Sequence, residues 1–454
     1  MQKARLIVAA LIMSLLVSVA GGALAQEEGT IVDVAAGDEN FSTLVSLVEA
    51  AGLVETLSGE GPFTVFAPTN DAFAALPEAV VTYLGENPDL LTAVLTYHVV
   101  GAEVTSDMIE PGEVATVEGG TVVLATDDMG VTVDGVNVVV ADVTASNGVI
   151  HAVDGVLIPD VMLPEVDPLD FADGSINAAG SSTVFPLAER MGEVWSEAGG
   201  VAPAIDSIGS GGGFERFCVA GESDISNASR AIRDTEIESC AEIGRLPIEF
   251  RLGTDALAVT VSSENDFATD VTLEELAMIF GEAENWSDVR AEWPEEPIAR
   301  FIPGTDSGTF DYFVEEVFDE NEEPILAASN TQLSEDDNVL VSGIVDSPFA
   351  IGFFGFAYFQ ENQDSLNVLS IDGVAPTGTS AEDGSYPLAR PLFAYSDAQI
   401  LADKPEVAAF LSFFLTNVND EIVDVGYFPA SDRALNFARL QLLASGALDG
   451  MMME

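Results

Sequence analysis

Three glycine- or hydroxyl-rich turns in the second part of the chain each lead directly into a stretch with the apolar spacing of an amphipathic helix. The turns are residues 180–183, 209–213 and 307–309. After the first turn, apolar residues recur at every fourth position from Leu187 to Trp195, which is the spacing of one helix face. The pattern predicts three helices that each begin at residues able to approach a ligand closely with their backbone.

The start of a helix is a favourable place for an anion. Its first turn leaves N–H donors without partners and carries about half a positive charge. Glycine allows close approach of the backbone, and serine or threonine adds a hydroxyl donor. Any one of these turns alone could be an ordinary helix cap. Three of them in one exported chain favour helix starts that converge on a tetrahedral oxyanion without a lysine.

The charge of the chain limits the partners that it can have. It contains 14 Lys plus Arg against 77 Asp plus Glu, a formal net charge of -63, but 48% of it is hydrophobic. This apolar fraction predicts folded cores, since disorder requires low hydrophobicity as well as high charge. We expect two or three domains from the length. Nucleic acid is excluded as a partner because the basic clusters that hold phosphate backbones are missing.

The N-terminus and the cysteines indicate an exported protein. Residues 1–25 combine two basic residues, an apolar run and a small-residue site at 23–25, as secretory signal peptides do. A membrane anchor is the alternative, although the run is short for a membrane span. The predicted location is periplasmic or extracellular. In such a protein Cys218 and Cys240, the only cysteines, are expected to form a disulfide.

A shift in composition divides the chain into two modules. No Lys or Arg occurs between Gln26 and Glu189. The first module, residues 26–159, is predicted to be α+β, with helices first and strands separated by glycine-containing turns later. Residues 160–174 are rich in proline and aspartate and are predicted to be an exposed linker.

Several segments of the first module carry a family resemblance. They are residues 30–58, the segment TVFAPTNDAF at 64–73, the pair Tyr97–His98 and NGVIHAVDGVLIP at 147–159. Together they resemble a fasciclin domain over its whole length, which implies extracellular adhesion or matrix attachment without catalysis. His98 and His151 could suggest a metal site, but their apolar neighbours favour hydrogen-bonded core residues. Asp71 is interpreted as a helix-start residue.

The second module resembles the periplasmic phosphate-binding proteins of phosphate ABC transporters. The resemblance covers about residues 176–443 and depends on segments that include GSSTVFPL, GSGGGFERFC, PGTDSGTFDYF and YPLARPLF. It implies a two-lobed α/β periplasmic-binding-protein fold of type II over residues 175–445, followed by a tail at 446–454. One lobe would comprise about 175–255 and 386–445 and the other about 256–385. Phosphate would lie between the lobes, and a membrane ABC permease would be the partner.

The resemblance also implies which residues bind phosphate. Residues in all three turns correspond to the family's binding positions: Ser182, Thr183 and the backbone of Val184 and Phe185, then Ser210, then Ser307, Gly308 and Thr309. Ser229 occupies the place of a carboxylate that accepts the phosphate proton in many relatives. Pro303 occupies the place of an arginine that precedes the third turn in many relatives.

These two departures leave the charged contacts open. Arg230 is the candidate for the replacement cation because a guanidinium can form a fork with two phosphate oxygens, although it could instead form a surface ion pair. Arg300 is a weaker candidate. Asp306 could accept the phosphate proton or could simply cap a helix.

Catalysis is not expected. The second module contains no histidine, and its glycine-rich turns lack the GK[ST] ending of nucleotide phosphate loops. No cofactor or metal is predicted, since the acidic clusters at 315–324 and 334–338 lack the spacing of a calcium loop. The sequence predicts a binding protein that captures phosphate for a transporter and carries an adhesive module. The alternative is a surface adhesion or matrix protein whose second module binds another oxyanion or has lost transport.

Overall fold

The structure is a computed structural model that describes residues 29–127, 130–305, 307–334 and 336–449. The predicted signal at 1–25 and the last residues of the tail lie outside these ranges. Within them, every helix is too short or too polar to cross a lipid bilayer.

The first module is a helical layer packed on a seven-stranded sheet. Its helices are α1 Ile31–Ala36, α2 Ser42–Ala50, α3 Val54–Leu57, α4 Asn70–Ala74, α5 Glu78–Glu86 and α6 Pro88–Tyr97. Its strands are β1 Phe63–Pro68, β2 Val99–Val100, β3 Gly112–Ala115, β4 Thr121–Asp127, β5 Gly130–Val133, β6 Val136–Ala145 and β7 Gly148–Val153. The sheet order is β2-β1-β7-β6-β5-β4-β3. The predicted α+β class is confirmed.

Local sequence signals explain where these elements begin. The Thr69 hydroxyl accepts a hydrogen bond from the Ala72 N–H at 3.2 Å and caps α4, as the side chain of an N-cap residue does. The apolar segment FTVFAP forms β1, which pairs in parallel with the buried strand β7. The strand-rich second half is a meander of antiparallel pairs from β3 to β7.

Both histidines are hydrogen-bonded inside this module. The Nδ1 atom of His98 lies 2.7 Å from the Val94 carbonyl oxygen, and its Nε2 atom accepts the Leu157 N–H at 2.9 Å. The His151 ring accepts the Asp142 N–H at Nδ1 and lies 2.8 Å from the Val104 oxygen at Nε2. These contacts occupy both nitrogens of each ring, so each histidine is a hydrogen-bonded core residue.

The second module is an α/β unit built on a branched ten-stranded sheet and a separate two-stranded sheet of β12 and β17. Its strands are β8 Asn177–Gly180, β9 Ala204–Ser207, β10 Ile225–Ala228, β11 Pro247–Ser262, β12 Asp270–Val271, β13 Ala299–Pro303, β14 Thr331–Ser334, β15 Ala350–Gly355, β16 Leu366–Val368, β17 Ser370–Ile371, β18 Ala389–Asp397 and β19 Phe428–Pro429. Its helices are α7 Phe185–Glu197, α8 Gly209–Phe214, α9 Asp234–Glu242, α10 Leu273–Phe280, α11 Gly308–Phe318, α12 Glu323–Ala327, α13 Asp337–Val345, α14 Phe356–Asn362, α15 Gly378–Glu382, α16 Ala398–Asp403, α17 Pro405–Val425 and α18 Asp432–Ala444.

The long strand β11 joins two halves of this sheet. Its residues 247–256 pair with β18, and its residues 257–261 pair with β15. We call the half with β8, β9, β10 and β18 lobe 1, and the half with β13, β14 and β15 lobe 2. The predicted two-lobed α/β fold is confirmed, while the residue limits given for the lobes stay predictions.

The segment between the modules is attached to lobe 1 rather than free. Val161 is buried, and its N–H donates to the Asn436 side chain at 3.2 Å. The Phe171 ring lies 6.3 Å from the Trp195 ring, and the Phe171 carbonyl accepts the Val201 N–H at 2.8 Å. Many of its residues are exposed, but Val161 and Phe171 hold the segment against α18 and α7.

The first module also packs directly on lobe 1. Helix α5 lies against α18, and one continuous apolar core contains Leu84 and Leu91 from the first module together with Trp195 and Leu440 from lobe 1. Arg433 on α18 donates from Nε to the Val156 carbonyl at 3.3 Å. The two modules therefore share buried surface and are not simply tethered.

We predict that deleting residues 26–159 destabilises the second module, because the apolar surface of α18 would face water. The remaining chain should unfold at a lower temperature than the full mature chain and should bind a dye for exposed apolar surface. The midpoint temperature of thermal unfolding is measured for both chains. Val139→Thr, at an exposed position of β6, is the control and should leave the midpoint unchanged. An unchanged midpoint after the deletion would show that the interface contributes nothing.

We also predict an acid sensitivity from His98. Burial lowers the pKa of His98 to about 4, so the unfolded chain takes up the proton first as the pH falls below about 6.5. Stability is then lost as the pH falls, by about 1 kcal/mol between pH 7.0 and pH 5.5. Urea unfolding at the two pH values measures this loss. His98→Gln should be less stable at pH 7.0 but should lose less on acidification, and an equal loss in both proteins would contradict the assignment.

Candidate functional site

The three predicted turns lie where strands end and helices begin. Strands β8, β9 and β10 are parallel neighbours, so their carboxyl ends meet at one edge of lobe 1. The first turn follows β8, the second follows β9, and residues 229–230 follow β10. The third turn follows β13 in lobe 2 and opens α11. Ligands of open α/β sheets bind at such carboxyl ends, so the topology places these residues around one cleft.

A cavity of about 320 Å³ occupies this cleft. Groups from both lobes line it: Ser181, Ser182, Thr183, Gly209, Ser210, Gly211, Ser229, Arg230, Arg233, Gly308, Asp311, Tyr312, Glu315, Glu316 and Arg390. Of the ten predicted phosphate-binding residues, six are therefore at the cavity. Val184, Phe185, Ser307 and Thr309 are not among its lining residues.

Internal hydrogen bonds explain why the first turn offers fewer backbone donors than expected. The Ser181 hydroxyl accepts the N–H groups of Thr183 and Val184 at 3.2 and 3.3 Å. The Phe185 N–H donates to the Ser181 carbonyl at 3.1 Å. The backbone N–H groups of Thr183, Val184 and Phe185 are thus engaged within the turn. Of its predicted residues, Ser182 and Thr183 line the cavity, beside Ser181.

The second turn is packed very closely on the first. A Cβ atom on Gly213 would lie 2.6 Å from the Gly180 Cα atom, so only glycine permits this approach. The Ser210 hydroxyl accepts the Ser229 N–H at 3.1 Å and lies 3.3 Å from the Ser229 hydroxyl. Ser229, which the sequence predicts to stand where many relatives have a carboxylate, is therefore joined to the second turn and lines the cavity with it.

The third turn meets the first across the cleft. The Ser307 hydroxyl accepts the Thr309 N–H at 3.2 Å and caps α11. A Cβ atom on Gly308 would lie 3.6 Å from the Ser182 carbonyl carbon and from the Thr183 nitrogen. The third turn of lobe 2 therefore lies close beside the first turn of lobe 1.

The predicted arginines differ in where they lie. Arg230 lines the cavity, but both of its terminal nitrogens bond to Glu236, at 2.9 and 2.8 Å. Arg300 is fully buried and donates to the backbone carbonyls of Ile279 and Ser329 at 2.5 and 2.7 Å, and also to Ala283. Burial lowers the pKa of Arg300 to about 10. Arg300 therefore holds lobe 2 together and does not reach the cavity.

Arg390 is the site residue that sequence reasoning missed. It lies on β18, lines the cavity, and is 8% exposed. Its Nε atom donates to the Asp255 carboxylate at 3.1 Å, and its Nη2 atom donates to the Gly308 carbonyl at 3.2 Å. The signal was an arginine inside the otherwise apolar segment YPLARPLF, since such a charge needs a buried partner.

Carboxylates also face the cavity. Asp311, Glu315 and Glu316 lie along one side of α11. Burial and the neighbouring Glu315 raise the pKa of Glu316. Asp306, the predicted proton acceptor, lies outside the described residues. Across the described ranges, no group of three His, Cys, Asp or Glu residues is arranged to hold a metal ion.

The two cysteines brace the second turn. A disulfide joins Cys218, just beyond α8, to Cys240 in α9. Next to it, Arg245 donates to the Phe217 and Ser223 carbonyls at 2.6 and 3.0 Å. These links fix the helical segment that follows the glycine-rich turn.

Comparison with known proteins divides the chain in the same way. Residues 39–159 match the family model described as a fasciclin domain, and residues 166–418 match the model described as a PBP superfamily domain. "Protein SphX" of Synechococcus elongatus is 39% identical over 275 residues, which are 58% of this chain and 80% of the relative. "Phosphate-binding protein PstS" of Staphylococcus haemolyticus is 35% identical over 267 residues, 57% of this chain and 82% of the relative.

A solved structure shows the same likeness. The crystal structure of a possible phosphate binding protein from Planctomyces limnophilus aligns with a TM-score of 0.55 at 36% identity. The alignment covers 60% of this chain and 99% of that chain. The likeness is therefore to the second module, and the first module is an addition to it.

Proposed function

Since the chain belongs to the PBP superfamily, within the group of PstS and SphX proteins, and carries a fasciclin domain in front, we propose that it captures inorganic phosphate for uptake by an ABC transporter. The observation that carries this proposal is that all three helix-opening turns contribute to one cavity between the lobes. The name of the PstS relative supports phosphate as the ligand. The protein acts as a receptor without catalysis.

The proposed contacts combine hydroxyl groups, helix starts and arginine. Ser182 and Thr183 bind from the first turn, Ser210 and Ser229 from the second, and Gly308 from the start of α11. An anion held in this way receives charge from backbone dipoles and short donors, which do not need to be reorganised when it binds. Ser307 and Thr309 contribute by fixing the third turn, and Arg230 and Arg390 supply formal positive charge.

The remaining parts of the proposal concern place and partners. The signal-like residues 1–25 direct the chain out of the cytoplasm, so it works in the periplasm or outside the cell. A membrane ABC permease takes phosphate from the closed lobes. The fasciclin domain attaches the protein to a cell-surface or matrix partner.

Calorimetry of the mature chain against phosphate and sulfate tests the proposal. We expect phosphate to bind with a Kd of micromolar order or tighter, and sulfate to bind more weakly. Ser210→Ala should weaken phosphate binding about 5- to 30-fold, because one charge-assisted hydrogen bond is lost. Ser239→Ala, on α9 and outside the cavity lining, is the matched control and should not change it. If phosphate does not bind below millimolar concentration, the adhesion alternative takes its place.

We predict that salt accelerates phosphate capture. The net charge of -63 repels an approaching anion, and the carboxylates on α11 stand at the cavity itself. Added salt screens this repulsion over about 10 Å at 0.1 M. Stopped-flow association rates should therefore rise between 0.02 and 0.5 M potassium chloride, with ~2-fold or larger changes. A rate that falls with salt would mean that local positive charge, and not the acidic surface, governs the approach.

A further inference from the structure

We propose that Arg390 is the principal cation of the phosphate site and also the contact that holds the two lobes closed. This inference rests on the proposed function for its ligand, whereas its role in closure depends on contacts within the chain. It assigns to one side chain of β18 both the positive charge at the anion and the contact that favours closure.

Arg390 is held by the shared strand. It lies directly opposite Asp255 in the antiparallel register of β11 and β18. Asp255 is 3% exposed, and its carboxylate accepts the Arg390 Nε–H at 3.1 Å. This bond orients the guanidinium and offsets part of the free-energy cost of burying both charges. Both residues lie at the point where β11 passes from lobe 1 to lobe 2, so the cation sits at the pivot of the cleft.

From this position Arg390 reaches lobe 2. Its Nη2 atom donates to the Gly308 carbonyl at 3.2 Å, and its guanidinium carbon lies 3.8 Å from the centre of the Tyr312 ring. Tyr312 is 2% exposed, so this cation–π contact is well shielded from water. Both partners belong to α11, the helix that carries the third turn. When the lobes separate these contacts break, so they favour the closed form.

Lobe 1 is connected to the same point. The Tyr427 hydroxyl donates to the Thr183 carbonyl at 2.7 Å, and burial raises the pKa of Tyr427. Thr183 and Glu316 line the same cavity as Arg390. Arg390 therefore stands between the first turn on one side and the third turn on the other.

The other arginines at the cavity are less suited to the anion. Both terminal nitrogens of Arg230 bond to Glu236, and Arg233 is exposed. In the part of the chain that the structure describes, Arg390 makes its hydrogen bonds through Nε and Nη2, which leaves the two N–H groups of Nη1 for phosphate oxygens.

The test combines phosphate calorimetry with a measurement of lobe distance. We expect Arg390→Gln to weaken phosphate binding about 100-fold, as the loss of charged hydrogen bonds at a buried site does. Arg390→Lys should bind phosphate with intermediate affinity, because it keeps the charge but loses the fork. Arg290→Gln removes a half-buried ion pair with Glu275 in lobe 2, outside the cavity lining, and is the control, which should bind as the unaltered chain does.

Energy transfer between two dyes measures the distance between the lobes. The dyes are placed at Glu197→Cys on α7 and Glu322→Cys beside α12, both exposed. Without phosphate, the chain with Arg390 should already spend more time closed than the Arg390→Gln chain, and phosphate should close the former more completely. Equal energy transfer in both chains would overturn the closure role. Phosphate affinity within about 3-fold of the unaltered chain in Arg390→Gln would overturn the cation role.

Two further comparisons keep the outcome clear. Arg390→Gln leaves Asp255 buried without its partner, so the double variant with Asp255→Asn is measured as well and should show the same loss of binding while folding normally. Normal binding by the double variant would overturn the cation role. If the unaltered chain does not bind phosphate at all, the proposed function fails, but the dye measurement without ligand still decides whether Arg390 favours closure.

Discussion

The change of pairing partner along β11 is the constraint on which the second module depends. Residues up to 256 belong to the lobe 1 sheet, and residues from 257 belong to the lobe 2 sheet. One strand therefore has to satisfy the backbone of both lobes, and all of its residues from Leu252 to Ser262 are buried. The same strand supplies Asp255, the partner of Arg390, and α18 packs on it. The proposed anion site and the helix on which the fasciclin domain docks are thus both connected to this strand.

The strong negative charge of the chain and its proposed anionic ligand are compatible because they act over different distances. The 77 acidic residues are mostly on the surface, where water and salt screen them. At the cavity the field comes from helix starts, hydroxyl groups and a few arginines at short range, where the effective dielectric constant is lower. The global charge mainly affects how fast an anion arrives, and the local dipoles affect how firmly it is held.

Much of the fold could be predicted from the sequence, because its signals are local. The turns at 180–183, 209–213 and 307–309 are each contained within a few residues, and the structure places each at a helix start. The charged contacts depend on pairing between distant strands. Arg300 and Arg390 both lie in apolar strands, and only the register decides that the first faces backbone carbonyls of lobe 2 and the second faces Asp255. The packing of segment 160–174 was equally hard to predict. Its prolines and aspartates predict exposure, whereas Val161 and Phe171 pack on lobe 1.

The packing of the first module on lobe 1 determines how attachment through the fasciclin domain would affect phosphate capture. Because helix α5 and lobe 1 share a core, an attachment made through the fasciclin domain would also fix lobe 1. Closure would then be a movement of lobe 2 toward an anchored lobe 1, with α11 carrying Gly308 and Tyr312 up to Arg390. A flexible tether would instead leave both lobes free to reorient after closing. The packed interface would therefore give the cleft a defined direction relative to any surface that the fasciclin domain binds.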